Sequence, residues 1–193
     1  DVVTMTLEAS TTTHATDTAA GNEGVEIKSA DATRTFVGGA RTTSGTAWAD
    51  SITQRFVINY FHRRPLAVRN VASGSPTSTT GTPTEIDSAA RIEWIGTGVD
   101  AVVVGAQMRV DLSGADLYSV SSIGRDGTSQ DVCVQQHAQS DVGGAIVELF
   151  HGPKDTYVPA EGYRYSTMMG ATGGSGTATW TGTQLFISTT VMG

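Results

Sequence analysis

Short apolar runs, each broken within a few residues by glycine, threonine or serine, constrain this chain more than any other feature. Of its 193 residues, 29 are Thr and 23 are Gly. Threonine's branched Cβ suits extended backbone and loses rotamer freedom in a helix. Glycine between apolar runs marks turns. Together they predict many strands and short turns in place of long helices. A globule of this length buries roughly 70% of its unfolded surface, which suffices for a core without staples.

The first 23 residues are rich in Thr and Ala and poor in large apolar groups, apart from Val2, Val3, Met5 and Leu7. They read as an arm or strand that becomes ordered against a neighbouring subunit, or as a flexible terminus. Residues 24–193 read as one β-sandwich domain. Candidate strands are 25–27, 35–41, 54–62, 66–71, 90–95, 100–110, 117–123, 132–135, 145–150, 163–170, 177–181 and 184–191. In the third, Phe56, Ile58, Tyr60 and His62 share one face, although a helix starting at Asp50 is an alternative for its approach. Ile92 and Trp94 alternate with Arg91 and Glu93. The run around Val102-Val103-Val104 is apolar enough to be buried on both faces. Asp126-Gly127 is the best hairpin signal in the chain. Residues 73–84 are low-complexity and predict a long exposed loop. The expected fold class is all-β, an antiparallel β-sandwich or jelly roll of about ten strands.

Charge removes several functions. The net charge is −7, and no basic stripe exceeds the cluster Arg63, Arg64 and Arg69. Nucleic-acid binding needs cations to displace counterions, and anionic membranes need them too, so neither partner is expected. No apolar run approaches the 18 or so residues of a membrane span. Cys133 stands alone, which excludes an intrachain disulfide and cysteine-rich zinc sites. The chain opens on Asp1, not Met, and so reads as processed, excised or incomplete.

No residue pattern assembles a catalytic apparatus. His14, His62, His137 and His151 are not at metal-ligand spacing. His137 has Asp131 and Asp141 nearby, but its glutamine neighbours read more simply as a polar strand end. Ser175 lies in Gly174-Ser175-Gly176, which lacks the last glycine of a nucleophile elbow and reads as a hairpin tip. Cys133, between two valines, reads as buried filler. Glycosidases need two carboxylates about 5 to 9 Å apart. Glu93, Asp100, Asp111, Asp116, Glu148 and Asp155 are available, but sequence does not pair them. Gly96-Thr97-Gly98 is no dinucleotide fingerprint. No cofactor or metal is expected. Among the aromatic residues, Trp94 is in phase with the core. Trp48 and Trp180 stand among Thr, Ala and Gly, and with Tyr157 and Tyr163 they are the candidates for ligand contact, with packing under loops as the plainer alternative.

Two segments carry a family likeness. One is Phe36 to Ser51, with Gly38-Gly39 and Trp48-Ala49-Asp50, continuing through Gln54 to Arg64. The other is Glu161-Gly162-Tyr163-Arg164-Tyr165 with Met169-Gly170, Gly173 to Gly176 and Trp180. They resemble parts of tailed-bacteriophage virion proteins of the tail-fibre, head-spike and decoration type. The likeness covers about a third of the chain and is a texture more than a strict motif. It implies a β-sandwich, commonly trimeric, exposed on the virion and sometimes contacting host-surface glycans. It brings no catalytic residues. The long repeats of a complete tail fibre are missing.

The expected function is therefore that of a virion structural protein, an appendage or decoration subunit and not an enzyme. Its expected partners are further copies of itself, other virion proteins and cell-surface polysaccharide. The expected location is the virion surface, after assembly in the host cytoplasm. A secreted carbohydrate-binding module or lectin is the alternative, with a polysaccharide depolymerase behind it.

Overall fold

The structure is a computed structural model, described over residues 14–44, 47–114, 117–128, 136–139, 148–173, 176–182 and 185–193. Two compact units divide the chain, Asp1–Gly38 and Gly39–Gly193. The division falls after Gly38 and not after residue 23. Residues 1–13, most of the expected arm, lie outside those described.

In the first unit, β1 (His14–Thr16), β2 (Glu26–Lys28) and β3 (Asp31–Thr35) form an antiparallel sheet in that order. Asp17 holds the loop between the first two, donating its N–H to the Val25 carbonyl and accepting the Ala19 N–H on Oδ1. Ala30, at φ 65°, makes the tight turn before β3. Ile27 is the one buried apolar side chain among those described between residues 14 and 38.

The second unit is a sandwich of two curled sheets. Its strands begin with β4 (Gly38–Ala40), β5 (Thr42–Ser44), β6 (Ala47–Trp48), β7 (Gln54–Arg55), β8 (Val57–Asn59) and β9 (Pro65–Val71). Next come β10 (Thr77–Ser78), β11 (Thr84–Glu85), a 3₁₀ turn (Ser88–Ala90), β12 (Ile92–Gly96), β13 (Val102–Leu112) and β14 (Tyr118–Arg125). The chain closes with β15 (Gln136–Gln139), β16 (Glu148–His151), β17 (Lys154–Tyr157), β18 (Gly162–Gly173), β19 (Ala178–Trp180) and β20 (Phe186–Met192). That is twenty strands among the described residues, where about ten were expected. Curling breaks long runs into pieces that keep one register. Thus β16 and β17 continue along a single edge of β13, from Asp111↔Glu148 to Val102↔Tyr157. The Ala106 N–H donates to the Pro153 carbonyl and bridges the break.

β13 is the spine of a seven-stranded sheet. Along one edge run β16 and β17, and along the other β20 and β19, with β9 outside β20. The facing six-stranded sheet has the order β15-β14-β18-β12-β7. All its pairings are antiparallel except β7 with β12. Pro65, lacking an N–H, opens the outlying strand β9, where it costs no central ladder bond. The core between the sheets holds Val68, Ile92, Trp94, Val104, Met108, Leu112, Ile123, Met168, Trp180, Leu185 and Ile187, all essentially inaccessible.

Alternation on β12 is as expected, with Ile92 and Trp94 inward. On β13 it corrects an expectation. The strand is buried on one face only, and Val103 is 42% exposed. Double-sided burial falls instead on β14, whose Ser119, Ser121 and Ser122 are fully buried. Short hydroxyl side chains read as surface in a sequence, yet a central strand can use them where layers approach closely. The Asp126-Gly127 signal falls at the end of β14, which pairs antiparallel with β15, while the expected return strand 132–135 lies outside the described residues. Residues 73–84 are not one plain loop, since they include β10 and start β11. No helix begins at Asp50. Ser51 and Gln54 close a turn there, and Asp50 bridges to Arg55. The turn lets the Ile52 carbonyl accept from Arg69 of β9 and the Thr53 carbonyl from Glu93 of β12. One short segment thereby ties together an edge of each sheet.

Candidate functional site

The four aromatic candidates do not converge. Trp48, on β6, is 64% exposed and pairs across its hairpin with Thr42. Trp180 takes the packing alternative and offers no ring to a ligand. It is wholly buried, with Nε1–H donated to Ser121 Oγ at 3.2 Å. Its ring lies over Gly170, where a Cβ would sit 2.3 Å from Cζ2. Tyr157 packs against the core with the Arg125 guanidinium 4.1 Å over its ring. Burial pushes its phenol up to about 12.

Tyr163 belongs to a ladder on the outer face of β12 and β18. Cross-strand pairing sets Glu93 opposite Tyr165 and Ile95 opposite Tyr163. The Tyr163 hydroxyl donates to Glu93 Oε1, and Gln54 Nε2 of β7 donates to Glu93 Oε2. Arg41 stacks 3.4 Å above the Tyr163 ring and reaches Phe56 as well. Burial, and next the hydrogen bond to Glu93, push the Tyr163 phenol up to about 12. Further along, Arg91 lies 4.7 Å from the Tyr165 ring and grips Glu85 through two bonds of 2.6 Å. Thr167 adds a third bond to Glu85 at 2.6 Å. Burial raises the Glu85 carboxyl, but the Arg91 and Thr167 hydrogen bonds outweigh it and hold the carboxyl below 4.5. A shallow polar recess adjoins the ladder, lined by Thr53, Gln54, Asn70, Ser88, Ala89, Arg91 and Glu93. The charges here neutralise one another, so the face offers stacking and hydrogen bonding without a strong field.

A second cluster ties the sheets together. Arg125 on β14 makes a bidentate pair with Asp155 on β17, whose side chain is only 6% exposed. Three other carboxylates considered for hydrolysis also accept hydrogen bonds. Asp100 is held by Arg63 at 2.5 Å and Thr97 at 2.7 Å, Asp111 accepts from Thr181 at 3.2 Å, and Glu93 serves the ladder. Among the described residues, no group of three or more His, Cys, Asp and Glu side chains could hold a metal ion. Asp116, Asp131, Cys133, Asp141 and Ser175 lie outside the described residues, and of His14, His137, Glu148 and His151 only the backbone is described. No helix among the described residues is long and apolar enough to cross a membrane.

A third feature is the outer face of β17-β13-β20-β9. Register brings three rows across it: Thr156, Val103, Thr190 and Ala67; then Lys154, Gly105, Ser188 and Arg69; then Gln107, Phe186 and Val71. Val71 is 45% exposed, and Ala67, Arg69, Gln107, Lys154, Thr156 and Thr190 are exposed too. Arg69 lies 4.8 Å above the Phe186 ring. The three rows contain two cations and no carboxylate. Neither this face nor the Arg41–Tyr163–Glu93 ladder is legible from spacing along the chain, since each is made by strand register. The outward half of each alternating run was the only signal.

No family model matches this chain, and no curated protein matches it. Among solved structures, Eiger TNF from S. frugiperda is similar at 14% identity over 66% of this chain and 92% of that one, with a TM-score of 0.43. A chain of infectious bursal disease virus, Gt strain, is 12% identical over 79% of this chain, with a TM-score of 0.42. A chain of T=1 particles derived from that virus is also 12% identical, with a TM-score of 0.41. This chain spans only 37% and 35% of the two viral chains. With TM-scores below 0.5, these likenesses carry no argument about family or function.

Proposed function

We propose that this chain is a structural subunit of a virion, of the appendage or decoration kind, and acts by surface contact without catalytic turnover. The observation that supports the reading best is the uncovered outer face of β17-β13-β20-β9. It presents mostly small and β-branched side chains, with Val71 and Val103 exposed among them. A sheet face of that composition serves contact between subunits, because it is broad, rigid and poor in charge. The texture shared by Phe36–Ser51 and Glu161–Trp180 with phage virion proteins supports the same reading. The working form is a homo-oligomer, a trimer, in contact with other virion proteins. Immunogold labelling of particles from cells that produce the chain tests this. Label on intact particles is the expected result, and a chain that stays wholly in the particle-free fraction refutes it.

A carbohydrate-binding module is the second reading, favoured by the 64% exposure of Trp48 and by Tyr163 and Tyr165 beside a polar recess. A glycan array of the isolated protein separates the two. Binding lost in both Trp48→Ala and Tyr165→Ala favours the module, and no binding removes it.

A further inference from the structure

We propose that the N-terminal unit of one copy docks on the outer face of β17-β13-β20-β9 of a second copy, head to tail. The inference rests on the reading of this chain as an assembling subunit and names the surfaces involved.

The first observation is that, among the described residues, the three-stranded meander β1-β2-β3 buries little apolar surface. Ile27 is its one buried apolar side chain among those described. Val25 and Phe36 are half-buried, and Val37 is exposed. Ordering some two dozen residues forfeits backbone entropy at each of them, and one isoleucine does not offset that. A small sheet of this kind persists when something larger covers it.

The second observation is charge. The unit Asp1–Gly38 holds six carboxylates and two cations, so it carries −4 of the chain's −7. The outer face of the large sheet is the complement, with Arg69 and Lys154 in its middle row and no carboxylate in the three rows. Around these cations lie Ala67, Val71, Val103 and Phe186, which suit the half-buried apolar side chains of the meander. The contacting surfaces are different patches of one chain. Such a contact is heterologous, and it closes into a ring when the rotation allows, as a trimer requires.

The test uses the full chain, with mass measured by native mass spectrometry and sedimentation equilibrium. The wild type is expected as a closed oligomer whose dissociation constant rises with salt. Reversing the face (Arg69→Glu with Lys154→Glu) or the meander (Glu23→Lys with Glu26→Lys) is expected to weaken association about tenfold or more, and combining the four substitutions to restore most of it. Restoration is a readout that mere loss of a fold would not produce. If a reversal variant fails to fold by circular dichroism, Val103→Glu on β13, in the row beside the cations, replaces it and must dissociate the oligomer. A monomeric wild type overturns the proposal. So does an oligomer indifferent to both reversals, a combined variant no better than either parent, or an unaffected Val103→Glu. An indifferent oligomer found on particles would leave the virion reading standing, whereas a docking chain that never labels particles would overturn that reading alone.

Discussion

Adding one methyl group at Gly170 should unsettle the core. Gly170 on β18 lies beneath Trp180, and a Cβ there would sit 2.3 Å from Cζ2, 2.7 Å from Cη2 and 2.8 Å from Ile86 Cγ2. Carbon contacts relax near 3.5 to 4 Å, so the indole must move by about 1 Å or more. It has little room to do so. Its edge is tied to Ser121 by the Nε1–H bond, and Trp180 is fully buried. Overpacking of a tight core costs about 1–3 kcal/mol, and a rigid ring held on both sides places Gly170→Ala near the top of that range. For a domain of this size 3 kcal/mol lowers Tm by about 6–12 °C. Urea unfolding followed by circular dichroism measures the loss. Trp180→Phe alone should cost about 2 kcal/mol, from lost packing contacts and the lost hydrogen bond to Ser121. In Gly170→Ala/Trp180→Phe the new methyl enters space the smaller ring vacates. The double variant should therefore lose about 1–2 kcal/mol less than the sum of the singles. A Gly170→Ala protein within about 0.5 kcal/mol of wild type, or strict additivity in the pair, would refute the account.

Other expectations concern the ionic and phenolic groups. Asp155→Ala should cost about 2–3 kcal/mol in urea unfolding, because it removes both hydrogen bonds that join Arg125 of β14 to β17, and a loss below 0.5 would show the inter-sheet pair to be incidental. Glu85, held below 4.5 in the fold, binds a proton more readily in the unfolded chain, so its contribution is complete above pH 4.5 and drains away as pH falls through the lower folded value. The stability gap between wild type and Glu85→Gln should accordingly narrow in acid, and a gap constant with pH would contradict the Arg91 and Thr167 contacts. Tyr163, raised from 10 to about 12, contributes stability that is complete below pH 10 and is lost as pH climbs through about 12. Ultraviolet titration should lose one late-ionising phenol in Tyr163→Phe and another in Tyr157→Phe, whereas an unchanged alkaline limb would mean that these rings are solvated.

The sequence alone determined that this chain is built of strands, because branched side chains and glycine turns act over a few residues at a time. It also placed Ile92 and Trp94 inward, since a period of two needs no knowledge of the partner strand. It could not tell that β14 with its buried serines, and not valine-rich β13, would be covered on both faces. Burial of a strand depends on what lies above and below it, and hydroxyl side chains are cheap to bury where layers press closely. For Trp180, among Thr and Gly, the sequence left ligand contact and packing both open, and Gly170, a neighbour across the sandwich and ten residues away in sequence, makes room for its buried ring. The Arg41–Tyr163–Glu93 ladder and the open face around Val103 arise only from strand register. Register is set by long-range pairing, and a one-residue slip would carry every one of these side chains to the opposite face.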